Sequence, residues 1–182
     1  MKKLSLLLVV GLLLGAAVTV RSAAKQATGT LKVPQGLSLE LKINGKPALV
    51  PTGRDVALPV GTYEPASLTC GAMGPAVNGK ADLWTIKCTG PTWGNLKQIS
   101  IQEGAAITLD AGSPFTLKTI VYKTENGPTG KVVPVTVRVV GKAGEIYDLN
   151  TFKKGPSTAP QLALQIVDEK GTVLTTGTLP YG

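Results

Sequence analysis

The side chains able to do chemistry in this 182-residue chain are few: two cysteines, eleven carboxylates, two tryptophans and no histidine. Without histidine there is no Ser-His-Asp or Cys-His arrangement, no imidazole acid–base pair and no histidine-rich zinc site. Cys70 and Cys88 enclose 17 residues. In an exported chain this spacing predicts a structural disulfide, worth about 3 kcal/mol by loop closure. A redox-active pair would sit closer, as in Cys-x-x-Cys, within an electropositive setting. A glycosidase would need two facing carboxylates. Glu40, Glu64 and Asp82 instead stand singly on strands or strand ends, and Asp168-Glu169 falls in a turn, where Asp bonds its own backbone. Glu145, Asp148 and Asn150 gather oxygen donors in one short segment. That is a candidate calcium site, without the regular spacing of an EF-hand and equally readable as a polar turn. Trp93, beside Asn95 in the Gly-bounded loop Gly90-Pro91-Thr92-Trp93-Gly94-Asn95, is the candidate binding residue. An exposed indole there stacks on a sugar or anchors a partner; a folded-over one caps the end of a sandwich. No catalytic residue and no cofactor is expected.

The elements that must position these residues are short strands. Across Val56 to Cys88, Ala66, Leu68 and Cys70 share one face of an alternating run, and Trp84, Ile86 and Cys88 share one face of the next. Both cysteines and Trp84 therefore belong to a core. Leu37, Leu39, Leu41 and Ile43 alternate with Ser38, Glu40 and Lys42, and Asn44-Gly45 then signals a hairpin, since both residues tolerate positive φ. Thr30 to Val33, Asp55 to Pro59, Ile99 to Ile101, Ile107 to Leu109 and Phe115 to Lys123 read as further strands. So do the valine run from Val133 to Val139, Leu162 to Ile166 and Val173 to Thr176. Twenty-two glycines and thirteen prolines leave no room for a ten-residue helical period. Pro59, Pro134 and Pro160 predict edge strands or strand ends. Tyr63, after Leu58-Pro59-Val60-Gly61-Thr62, is placed to pack beside its turn as a corner tyrosine does.

The N-terminus reads as a targeting segment. Met1-Lys2-Lys3 is basic, Leu4 to Val20 is an uncharged apolar run, and Ser22-Ala23-Ala24 offers small residues before a cut. Residues 1–24 are thus expected to be a signal peptide; an uncleaved anchor is the alternative, because 17 apolar residues reach the lower limit for spanning a bilayer. Losing Lys2, Lys3 and Arg21 lowers the net charge from +8 to +5. The remaining basic residues are scattered, which argues against a nucleic-acid stripe and for solvated strand faces.

Three segments together resemble the PEGA and carboxypeptidase-regulatory-like modules: Gly29-Thr30-Leu31-Lys32-Val33, Ile43-Asn44-Gly45-Lys46 and Leu58-Pro59-Val60-Gly61-Thr62-Tyr63. The similarity spans about 40 residues. Gly144 to Tyr147, Ile166 to Gly171 and Gly177 to Gly182 are similar to Ig-like or transthyretin-like modules of secreted bacterial proteins. The strand pattern and the breaker stretch Ala111-Gly112-Ser113-Pro114 predict an all-β fold of two small sandwiches, residues 25–113 with the disulfide and residues 114–182; one larger sandwich is the alternative. The resemblance implies that they are Ig-like or transthyretin-like. It also implies a spacer, adhesive or carbohydrate-associated role rather than a reaction. The expectation is a non-enzymatic exported protein of the periplasm, cell envelope or extracellular space. Its partner would be a protein or an envelope polysaccharide, with no nucleic acid and no membrane insertion after cleavage.

Overall fold

A computed structural model describes residues 26–128 and 130–179. The expected leader, residues 1–24, lies outside them. The described chain is all-β: its single helical piece is a 3-10 turn at Gly94–Lys97.

The strands in chain order are β1 (Thr28–Lys32), β2 (Leu37–Ile43), β3 (Lys46–Val50), β4 (Asp55–Pro59), β5 (Gly61–Met73) and β6 (Leu83–Cys88). They continue with β7 (Ile99–Ile101), β8 (Ala106–Thr108), β9 (Thr116–Val121), β10 (Glu125–Gly127) and β11 (Gly130–Val132). The last are β12 (Val135–Val140), β13 (Ile146–Lys154), β14 (Ser157–Thr158), β15 (Leu162–Val167) and β16 (Val173–Leu179).

The long sheet runs β3-β2-β5-β6-β13-β12-β9, with β7 beside the start of β5 and β14 beside the end of β13. A three-stranded sheet, β4-β1-β8, forms the second layer. Alternation explains how they meet. Leu37, Leu39 and Leu41 point inward from β2, Leu68 and Cys70 from β5, Ile86 and Cys88 from β6, and all join Leu31, Val33 and Leu58 in one core. Asn44 (φ 53°) and Gly45 (φ 76°) make the expected two-residue turn between β2 and β3, the geometry that suits strand twist. Tyr63 Oη donates to the Pro59 carbonyl at 2.8 Å, the corner contact its turn predicts. Pro59 ends β4, an edge strand, while Pro134 and Pro160 lie just outside strands. Pro65 lies inside β5 where the β2–β5 register shifts, so its missing N–H coincides with a bulge.

The expected division near Ala111 to Pro114 falls inside a continuous structure. β6, from the first half, pairs antiparallel with β13, from the second, through Asp148↔Lys87, Lys153↔Thr85 and Lys154↔Trp84. Val139, Ala143 and Tyr147 belong to the same core as Leu39, Leu68 and Cys88. The halves share a sheet and a core rather than closing separate sandwiches. Among the described residues, β10–β11 and β15–β16 remain two-stranded hairpins outside both sheets.

Candidate functional site

The cysteines lie on adjacent strands, but their register separates them. Cys70 is opposite Ile86, and Cys88 is opposite Leu68. They are diagonal neighbours on one face, about 7–8 Å apart at Cα, beyond the usual disulfide range of roughly 4.4–6.8 Å. The structure does not show the expected disulfide: both cysteines are free, buried thiols in it. Burial raises the pKa of each above the ordinary thiol range, and the nearby Glu145 carboxylate raises it further. Backbone hydrogen bonding at Ser113 for Cys70, and at Gly90 and Ile146 for Cys88, opposes the rise. Neither is poised as a nucleophile.

Glu145 itself is fully buried, at 0% exposure, so it is no surface calcium ligand. Its Oε1 accepts from Gly112 N at 2.6 Å and from Tyr147 Oη at 3.0 Å, and Oε2 accepts from Ala143 N at 2.9 Å. Three donors converge on one carboxyl group, which satisfies its buried oxygens. The Tyr147 phenol pKa is held far above its usual value, by burial first and by Glu145 second. This phenol donates a hydrogen bond and does not ionise. Gly112 is required where it stands: φ is +82°, and a Cβ there would lie 2.7 Å from Leu37 Cδ2.

Other backbone bonds draw the same three loops together. Lys142 N donates to Gly112 O at 3.0 Å, Asn95 N to Ala143 O at 2.8 Å, and Ile146 N to Thr92 O at 3.0 Å. The loop carrying Trp93, the expected linker and the β12–β13 connection therefore meet at Glu145. Trp93 is half-buried and packs against the core, which is the capping arrangement; Asn95 is exposed. Trp84, expected in the core, is instead half-buried outside the core cluster, with its ring centroid 5.4 Å from that of Phe152 and Lys154 Nζ 5.5 Å from its own. Asp148 is exposed and accepts from Asn150 N at 2.9 Å, closing a local turn. Glu145 points inward while Asp148 stays outside, so the calcium candidates do not converge, and no metal-holding group of three exists among the described residues.

No protein-family model, curated protein or solved structure matches the chain.

What sequence reasoning missed lies at the far end of the long sheet. β9 is its last strand, so one row of its backbone groups has no strand partner among the described residues. Cross-strand pairs Leu117↔Val139, Thr119↔Val137 and Val121↔Val135 continue the inward face. The covering β4-β1-β8 layer does not follow it: Val139 is buried, while Leu117 is 62% and Val121 63% exposed. The β-branched and aromatic composition of Phe115 to Lys123 points to a strand but not to its place at an uncovered edge.

Proposed function

We propose that the chain is a non-catalytic, exported β-sandwich protein of the cell envelope or extracellular space. It would bind a partner protein by adding an extended segment of that partner, apolar at alternate positions, to β9. The observation that carries this reading is the open β9 edge bordered by exposed Leu117 and Val121. Main-chain bonding along such an edge supplies affinity, and alternate side-chain positions supply selectivity. The opposite edge is guarded: β3 carries Lys46 and Pro47, residues that discourage strand addition. The basic, apolar and small-residue sequence of residues 1–24 supports export.

The test uses photo-crosslinking groups at Thr119 on β9 and at Leu49 on β3, in protein expressed in its own compartment. The reading expects a defined protein adduct from Thr119, absent from Leu49 and lost in Leu117→Lys, which places an inward charge on the edge. Equal labelling from both edges, or none from Thr119, contradicts it. A pull-down on peptidoglycan and polysaccharide, wild type beside Trp93→Ala, covers the carbohydrate alternative: retention that depends on Trp93 would replace strand addition with sugar binding.

A further inference from the structure

The outer face of β9 and β12 carries an unusual pair. Lys118 and Arg138 stand directly opposite each other in the antiparallel register, on the face away from the core. Like charges in that position destabilise a sheet. Four lysines elsewhere are ion-paired, Lys32 with Asp55, Lys42 with Glu64, Lys142 with Asp110 and Lys154 with Asp82. Others among the described residues, such as Lys87 and Lys153, are not, so it is the direct opposition of two cations that sets Lys118 and Arg138 apart. No ion pair to Lys118 or Arg138 is present among the described residues. Asp148 would face Arg138 if β12 and β13 stayed paired. Their ladder holds only Val139↔Tyr147 and Val140↔Ile146; Asp148 pairs with Lys87 on the β6 flank, and although it lines a neighbouring cavity with Arg138 it makes no ion pair with it.

The two cations border a cavity of about 450 Å³ that Ile120, Val140 and Ile146 also line. That volume lies within the range of small-molecule sites, roughly 300–1,000 Å³. Register sets the layout. Val140 follows Arg138 on the same face of β12 and pairs with Ile146, while Ile120 lies beyond Lys118 on β9. A basic pair is thus flanked by aliphatic side chains with no carboxylate bound to it.

We infer that this cavity is a binding site for an amphiphilic anion, an oxyanion head held between Lys118 and Arg138 with an aliphatic chain over Val140 and Ile146. The guanidinium suits a two-oxygen contact with carboxylate or phosphate, and the ammonium supplies a second charge. The anion removes the cross-strand repulsion, so binding and sheet stability are linked.

Octyl phosphate is the direct probe, titrated by calorimetry into the full chain beside inorganic phosphate and octyl glucoside. The site predicts that octyl phosphate binds at least tenfold more tightly than either, and more weakly as salt rises. Lys118→Glu is the decisive variant. It turns the repelling pair into an attracting one, so its melting temperature should equal or exceed that of wild type while octyl phosphate affinity falls at least tenfold. Loss of binding then cannot be loss of fold. Cosedimentation with vesicles of anionic and of neutral lipid, for wild type and Lys118→Glu, separates sources. Anionic-lipid binding that needs Lys118 assigns the head to a membrane lipid, and octyl phosphate binding without it assigns a free amphiphile. Absence of octyl phosphate binding in wild type, or equal binding by Lys118→Glu, overturns the inference.

Discussion

Replacing Glu145 by glutamine keeps the side chain's shape but turns one acceptor oxygen into a donor facing Gly112 N and Tyr147 Oη, or facing Ala143 N. The loss combines charge-assisted bonds with a buried unpaired donor, so we expect about 2–3 kcal/mol of destabilisation in urea denaturation. Tyr147→Phe, which removes one donor and leaves the carboxylate two, should cost about 1 kcal/mol. A Glu145→Gln loss within about 0.5 kcal/mol, the scatter of neutral surface substitutions, would show that the carboxylate does not organise these loops. The raised thiol and phenol pKa values give a pH dependence of definite sign. Folded Tyr147, Cys70 and Cys88 keep protons that the unfolded chain releases. Their contribution is therefore fully present below the ordinary thiol value of 9.0 and is lost as pH rises beyond it. Urea midpoints should hold steady to about pH 8 and then fall toward pH 11. Thiol labelling should be slow in native protein and count two thiols on unfolding; midpoints that rise with pH would contradict the burial of these groups.

At the scale of elements, the sequence was legible where alternation was pure. β2 and β4 have the expected bounds, β7 starts at the expected Ile99, and the Asn44-Gly45 turn has the positive φ that its residues favour. β13 was not legible. Asp148 and Asn150 are poor strand residues and drew the segment toward a polar turn or calcium loop. Yet Ile146–Lys154 is the strand that joins the two halves. Its stability comes from neighbours distant in sequence, β6 on one side and β12 on the other, which local pattern does not encode. Glu145 was misplaced for a related reason. A carboxylate beside Gly144 reads as solvated, and only the convergence of Gly112, Ala143 and Tyr147 makes its burial tolerable. The cysteine runs were read on the correct faces, but face alone leaves register open. A two-residue offset separates a disulfide partner from a diagonal neighbour. The uncovered end at β9 likewise depends on how far the second layer reaches.

For the whole molecule, the account rests on continuity across residues 111–114. Gly112 N is bound to Glu145, Lys142 N to Gly112 O, and β6 to β13, so the connection is built into the body instead of hanging between bodies. A small sandwich buries limited apolar surface and has little stability to spare, which makes sharing one core advantageous. A rigid sheet of this kind can present β9 at one end while its folded loops hold no poised nucleophile among Cys70, Cys88 and Tyr147. Differential scanning calorimetry of wild type beside Glu145→Gln tests this continuity most directly. The account predicts one cooperative transition whose calorimetric and van't Hoff enthalpies agree, displaced as a unit to lower temperature by the substitution. Two transitions, with only one displaced, would mean that the halves fold independently and that the shared sheet is not what holds the molecule together.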